Sequence, residues 1–241
     1  MKYELYEVGG KIRDEVLGLQ SKDVDYSVVI ESKKNINTVF FEFVKQIQSE
    51  GFEVFLETPD CFTVRAKFPK NHKYSGVADF VLARKEKYYP ENSRKPVSVL
   101  GTLEDDLKRR DFTVNALAKG PDGKIIDLFN GVKDLHDGIL RTTGDTAVSF
   151  NDDPLRILRA IRFSITKGLE FSDSILDTLK FYDSNRLTIV STERIREELY
   201  KCFKHDTKMT IMYLTILQEL NNGLYEAMLP DELWLEPTMK K

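Results

Sequence analysis

Asp23 and Asp25 stand two residues apart in the run Asp23-Val24-Asp25-Tyr26-Ser27-Val28-Val29-Ile30, whose β-branched residues favour a strand. Residues two apart on a strand share a face, so both carboxylates can converge on a cation. Mg2+ prefers hard oxygen ligands, takes one or two protein carboxylates and leaves its other positions to water and substrate phosphates. Two such ions would clamp the attacking and leaving oxygens of an in-line displacement at phosphorus. Upstream, Gly9 and Gly10 would let the backbone approach a triphosphate closely, while Arg13 and the start of the next helix add positive potential. An acid pair alone is more often a solvated turn; the glycines and Arg13 make this one informative. Asp79 is the candidate third acid, because Val77-Ala78-Asp79-Phe80-Val81 surrounds it with apolar residues and a charge there is costly unless paired or liganded. The alternative is that Asp79 faces solvent on a half-exposed strand.

Two further groups carry possible chemistry. In Arg109-Arg110-Asp111-Phe112-Thr113-Val114-Asn115, the arginine doublet could grip phosphates, Asp111 could accept from ribose hydroxyls, and Asn115 could orient either group. In Asp152-Asp153-Pro154-Leu155-Arg156-Ile157-Leu158-Arg159-Ala160-Ile161-Arg162-Phe163, three arginines spaced by three form a slanting row along one side of a helix. By spacing alone, that row equally describes a solvated face beside an apolar stripe.

These residues need elements to place them. The first part of the chain alternates strand-like and helical stretches: strands at 5–8, 23–30, 52–57, 63–68 and 77–83, and helices at 11–17 and 36–49. Residues 85–101 are polar, contain Pro90 and Pro96 and have no period, so a mobile loop is expected. Near Gly144 strand signals stop, and helices are expected at 154–167, from 173, from 192 and at 207–220. The organisation is thus α+β, with an α/β-like domain over 1–143 and an all-α domain over 144–241. A formal net charge of -3 lacks the global footprint of a protein that coats nucleic acid, so any RNA contact would be local. Cys61 and Cys202 fit no metal-ligand spacing and are expected to be bland thiols in a reducing compartment. With no apolar leader and no apolar run long enough to span a bilayer, a cytoplasmic protein with no membrane partner is expected.

Five ordered runs, GGKIRDEVLG…KDVDYSVV, EDDLKRRDFTVNALA, IIDLFNGVKDLHDGILRT, DDPLRILRAIRF and STERIREELYKCF, resemble the successive motifs of the class II tRNA nucleotidyltransferases (CCA-adding enzymes) and bacterial poly(A) polymerases. The resemblance extends from near residue 5 to about residue 204. It implies a DNA-polymerase-β-like nucleotidyltransferase head, a small mixed sheet with helices, followed by a helical neck. It further implies that Asp23 and Asp25 hold the catalytic metals. Gly10 and Arg13 would meet the triphosphate, and Arg110 with Asp111 would bind phosphate and ribose. Asp153 and Arg156 would read the base, supported by Arg159 and Arg162, and residues 85–101 would be the loop needed for adding the terminal A.

The base-reading role also has a physical rationale. Cytosine and adenine present an amino donor beside a ring-nitrogen acceptor, which an aspartate beside an arginine matches, whereas uracil and guanine present the reverse. Position 152 is Asp where the family usually has Glu, shortening a side chain beside that pair. The expected partners are CTP, ATP and a tRNA or other RNA 3′ end. Only head and neck are expected, and weak binding, a small RNA substrate, a homo-oligomer or a helper protein could each compensate for the family's body and tail in gripping RNA. The neighbouring reading is a poly(A) polymerase or an A-only enzyme. Further ones are a tRNA-blocking nucleotidyltransferase and a catalytically silent RNA- or nucleotide-binding module, the last opposed by the presence of Asp23, Asp25, Arg110 and Arg156.

Overall fold

The computed structural model describes residues 1–20, 24–91, 93–230 and 233. The chain divides into two compact units, Met1–Tyr88 with Pro96–Lys133, and Tyr89–Lys95 with Asp134–Lys241.

In the first unit, chain order runs β1 (Glu4–Val8), α1 (Gly10–Val16), β2 (Asp25–Val29), α2 (Ile36–Ser49), β3 (Glu53–Thr58), β4 (Thr63–Lys67) and β5 (Val77–Leu82). It continues through β6 (Arg84–Tyr88), β7 (Val97–Leu100), α3 (Leu103–Lys108), a 3-10 turn at Thr113–Asn115, β8 (Leu117–Lys119) and β9 (Ile125–Asp127). Seven strands form one sheet in the order β3-β4-β5-β2-β1-β8-β9, antiparallel throughout except where β2 lies parallel to β5.

The period-two alternation of strands decides what each face carries. Tyr26 and Val28 of β2, Val64 and Ala66 of β4, and Ala78, Phe80 and Leu82 of β5 enter one core with α2. Helix α2 contributes Ile36, Val39, Phe40, Phe43, Val44 and Ile47, spaced by threes and fours, and Asn35 caps its start by accepting from the Asn37 amide. Burying such side chains stabilises by about 1.5–3 kcal/mol each. By the same parity Asp25, Ser27 and Asp79 belong to the opposite face, where Leu107 of α3 packs with Val8, Ala116 and Ala118.

Residues 84–88 and 97–100 form an antiparallel pair, where the sequence predicts a structureless loop. Its order is not apolar: Glu86 pairs with Arg84 at 3.6 Å and Arg109 at 3.9 Å, interactions that no hydrophobic period announces.

Helix α4 (Gly131–Asp137) and strand β10 (Ile139–Leu140) precede the helices of the second unit: α5 (Thr146–Asp152), α6 (Leu155–Lys167), α7 (Asp173–Phe181), α8 (Thr192–His205), α9 (Thr207–Leu220) and α10 (Asn222–Met228). Strand β11 (Glu170–Phe171) pairs parallel to β10, a two-residue departure from the purely helical expectation. Helix α6 packs on α5, α8 and α9 and buries Leu155, Ile157, Leu158, Ala160, Ile161 and Phe163. Gly168 ends it in the left-handed conformation, the usual glycine stop. Among the described residues no helix is long and apolar enough to cross a membrane.

Candidate active site

Strand β1 ends at Gly9, whose φ of 75° and ψ of -134° suit glycine alone. The Gly9 amide donates to the Leu117 carbonyl at 3.1 Å, and its own carbonyl accepts from the Ile12 and Arg13 amides to start α1. A Cβ on Gly9 would lie 2.9 Å from Nη1 of Arg110, so the missing side chain is the space that this guanidinium uses. Gly10 faces Arg13 in the same way, at 3.4 Å from Nη2.

Arg13 is buried, and its side chain opens a polar relay. Nε donates to Oδ1 of Asp14 at 2.9 Å and Nη1 to Oδ1 of Asn115 at 2.6 Å. The Asn115 amide then donates through Nδ2 to Oδ1 of Asp111 at 2.9 Å, which also accepts from the Phe112 amide. Arg13 thereby fixes which way the Asn115 amide points, and Asn115 fixes the Asp111 carboxylate. Arg13, expected from the sequence to meet a triphosphate, here holds Asp14 and Asn115 at the start of α1.

The arginine doublet divides its attention. Arg110 lies against Gly9, with Nη1 at 3.5 Å from the Asn115 carbonyl, whereas Arg109 turns toward Glu86. Both also donate to Asp106 of α3, whose carboxylate is fully buried. Burial pushes the Asp106 pKa up, but Arg109 and Arg110 outweigh it and hold the carboxyl below the usual range. Arg84 belongs to the same cluster; burial, then the charge of Arg109, pulls its guanidinium below the ordinary value.

Asp25 and Asp79 are direct register partners on the parallel strands β2 and β5, so they stand about 4.8 Å apart in backbone spacing on one face. The same row continues to Arg65 on β4, which donates to both Asp79 oxygens, from Nε at 2.8 Å and Nη2 at 2.6 Å. Asp23 lies outside the described residues. The donor chemistry fits a divalent cation: Asp25 offers a hard oxygen ligand one strand from a second carboxylate, on the strand that pairs with β1 just before the Gly9 turn. Among the described residues, which leave out Asp23, no group of three or more potential ligands gathers.

The second unit holds the other predicted residues. Asp153 closes α5, and its Oδ1 accepts from the Leu155 amide at 3.1 Å and from Nε of Arg94 at 2.6 Å. Arg156, one turn on, donates from Nη1 to Oγ of Ser149 at 2.7 Å. The Arg162 guanidinium lies 4.3 Å from the centre of the Phe163 ring and donates to the buried Glu198 of α8, which Lys201 also meets at 3.0 Å. Burial raises the Glu198 pKa, yet Arg162 and Lys201 bring it below the usual range. The arginine row is therefore half-buried and engaged, not a freely solvated face.

Four of these partners escaped the sequence reading. Asp106 had a readable signal, an acid three and four residues before Arg109 and Arg110. Arg65, Arg94 and Glu198 reach their partners across 14, 59 and 36 residues, and no local spacing reveals such pairs. Cys61 is exposed and Cys202 buried, both free, and burial pushes the Cys202 thiol up to about 12.

Residues 5–141 match the poly A polymerase head domain family. The chain is 34% identical over 201 residues to the CCA-adding enzyme of Ligilactobacillus salivarius, covering 83% of this chain and 45% of that one. It is also 34% identical over 238 residues to the multifunctional CCA protein of Neisseria gonorrhoeae, covering 95% and 50%. Among solved structures it is similar to the Bacillus stearothermophilus CCA-adding enzyme in complex with CTP, with TM-score 0.74, 28% identity and coverage of 95% and 50%. The Thermotoga maritima CCA-adding enzyme complexed with tRNA follows at TM-score 0.68 and 25% identity, over 95% and 49%. The chain spans about half the length of the curated relatives it matches. With its α+β sheet, its Gly9 turn and a match over more than half its length, this chain belongs to the poly A polymerase head domain family.

Proposed function

We propose that the chain is a template-independent RNA nucleotidyltransferase that adds C and A to tRNA 3′ ends from CTP and ATP, releasing pyrophosphate, in the cytoplasm. The observation that carries this reading is the register of Asp25 with Asp79 on the strand paired with β1, whose Gly9 turn receives Arg110. The names of the relatives, a CCA-adding enzyme and a multifunctional CCA protein, support the same reaction.

In this reading residues 1–143 are the nucleotidyltransferase domain and residues 144–241 select the base. Asp23 and Asp25, with Asp79 as third acid, would hold Mg2+, which when bound supplies Lewis-acid stabilisation of the phosphate oxygens. Gly9 and Gly10 would let the backbone approach the triphosphate closely, Arg109 and Arg110 supply positive charge to it, and Asp111, oriented by the Arg13–Asn115 relay, accepts from the ribose hydroxyls. Asp153 accepts from the exocyclic amino group of cytosine or adenine and Arg156 donates to the adjacent ring nitrogen, so UTP and GTP meet mismatched donors and acceptors. Arg159 and Arg162 support the nucleotide. The base exchanges with Arg94 for the Asp153 carboxylate, which that arginine holds at 2.6 Å.

The test incubates the purified protein with tRNA ending at the discriminator base, at C or at CC, and with each labelled triphosphate separately. Completion of CCA with rejection of UTP and GTP is expected, and Asp25→Ala abolishes it. Long A tracts would make the protein a poly(A) polymerase, addition of A alone an A-adding enzyme. Inertness toward every primer would sink the reading.

A further inference from the structure

We propose that Asp106 is the positioning residue that sets the Arg109–Arg110 doublet for triphosphate binding, an inference that rests on the doublet's role in the reading above. Helix α3 is short but firmly placed. Thr102 and Asp105 form a reciprocal capping box at its start, and Leu107 is fully buried in the core that α3 shares with β1 and β8. Asp106 is carried into the interior with it at 0% exposure, where an ionised carboxylate is tolerated only if its oxygens are satisfied. The satisfaction comes from two arginines at once: Oδ1 accepts from Nε of Arg109 at 2.9 Å and also from its Nη2, while Oδ2 accepts from Nη2 of Arg110 at 3.2 Å.

One guanidinium would suffice to neutralise the acid. The second, brought to the same carboxylate, would repel the first without the bridging charge between them. Glu86 joins the cluster through Arg84 and Arg109, and Arg110 extends from it to the Gly9 turn, where the absent side chain leaves its Nη1 against the backbone. Asp106 therefore reaches the ligand only through the arginines: it fixes their side chains in one geometry before the anion arrives, so that little ordering remains to be done on binding.

The experiment uses inorganic tripolyphosphate as the probe, measured by calorimetry, together with KM and kcat for CTP and ATP and the thermal midpoint. Binding of tripolyphosphate by the unaltered protein, lost in Arg110→Ala, tests the underlying reading; its absence would remove that reading and not speak to Asp106. Given that binding, Asp106→Asn should weaken tripolyphosphate and raise KM for both nucleotides by about tenfold or more while changing kcat far less. Adding Asp106→Asn to a chain already carrying Arg109→Ala and Arg110→Ala should raise KM no further, because Asp106 acts only through those two arginines. Unaltered affinity in Asp106→Asn, or losses that simply add in the combined variant, would overturn the proposal whatever happens to the thermal midpoint. If Asp106→Asn does not fold, Asp106→Glu keeps the charge but displaces it by one methylene. It should raise KM in the same direction by a smaller factor, and an unchanged KM there would equally overturn the proposal.

Discussion

Both oxygens of Asp79 accept from Arg65, and the same residue stands in register with Asp25, so a cation held beside Asp25 would compete with Arg65 for that carboxylate. The pair is partly exposed, with Arg65 at 55% and Asp79 at 24%, and pairs of that kind stabilise a fold by only about 0–1 kcal/mol. Stability is therefore a weak reason for the arrangement, and in the proposed reading the Asp79 carboxylate would serve a cation beside Asp25. Asp79→Asn should raise the Mg2+ concentration needed for half-maximal nucleotide addition by about tenfold, while Arg65→Ala, which removes the competitor, should lower it. A magnesium titration of activity reads both. Identical titrations for the two variants and the parent chain would reduce Asp79 to a partner of Arg65. At this scale the candidate residues were legible because their types are chemically loaded and their spacings local. Their partners were not, since Arg65, Arg94 and Glu198 come from distant positions that only folding brings near.

Helices α2 and α9 have the bounds that periodicity predicts, because their apolar residues recur at helical spacing and polar residues cap them: Asn35 before α2 and Asp206 before α9. The strand pair β6–β7 was illegible for the opposite reason, being ordered by ladder hydrogen bonds and charges in a stretch with little apolar content. Helices α3 and α5, of six and seven residues, are too short to show a period. One short element has an outsized role. Gly131 opens α4 directly over the 3-10 turn at Thr113–Asn115, and a Cβ there would fall 2.2 Å from the Thr113 carbonyl oxygen and 2.7 Å from its carbon. Those are backbone atoms, so no side-chain rotation relieves the overlap, and the turn that carries Asn115 must shift. Gly131→Ala is expected to lower stability by about 1–3 kcal/mol in urea unfolding. It should also raise KM for nucleotide, because Asn115 orients Asp111. Gly144→Ala, where nothing lies within 4 Å, is the neutral control. Equal unfolding midpoints for the two variants would show that the contact is easily accommodated.

Each of the two units places an acid in its interior beneath basic side chains: Asp106 under Arg109 and Arg110 in the first, Glu198 under Arg162 and Lys201 in the second. In both, burial favours the neutral acid and the neighbouring cations overcome it, so the folded-state pKa lies below the ordinary values of 3.8 for Asp106 and 4.5 for Glu198. A depressed folded pKa means that the unfolded chain binds protons first as pH falls. The stabilisation is therefore complete above the unfolded values, and it drains away as pH drops below about 4 and through the folded values. Protonation there does more than remove two ion pairs. It leaves Arg109, Arg110 and Arg162 half-buried beside groups that no longer balance them, which is the costly way to break a buried pair. The urea midpoint should accordingly be level between pH 5 and 7 and fall steeply below about pH 4, in probes of either unit. In Glu198→Gln the second unit should start from a lower midpoint and lose less of it to acid, since one of its titrating groups is gone. A midpoint level down to pH 3 would mean that neither acid is held ionised by its arginines, and that the positioning of both clusters has another source.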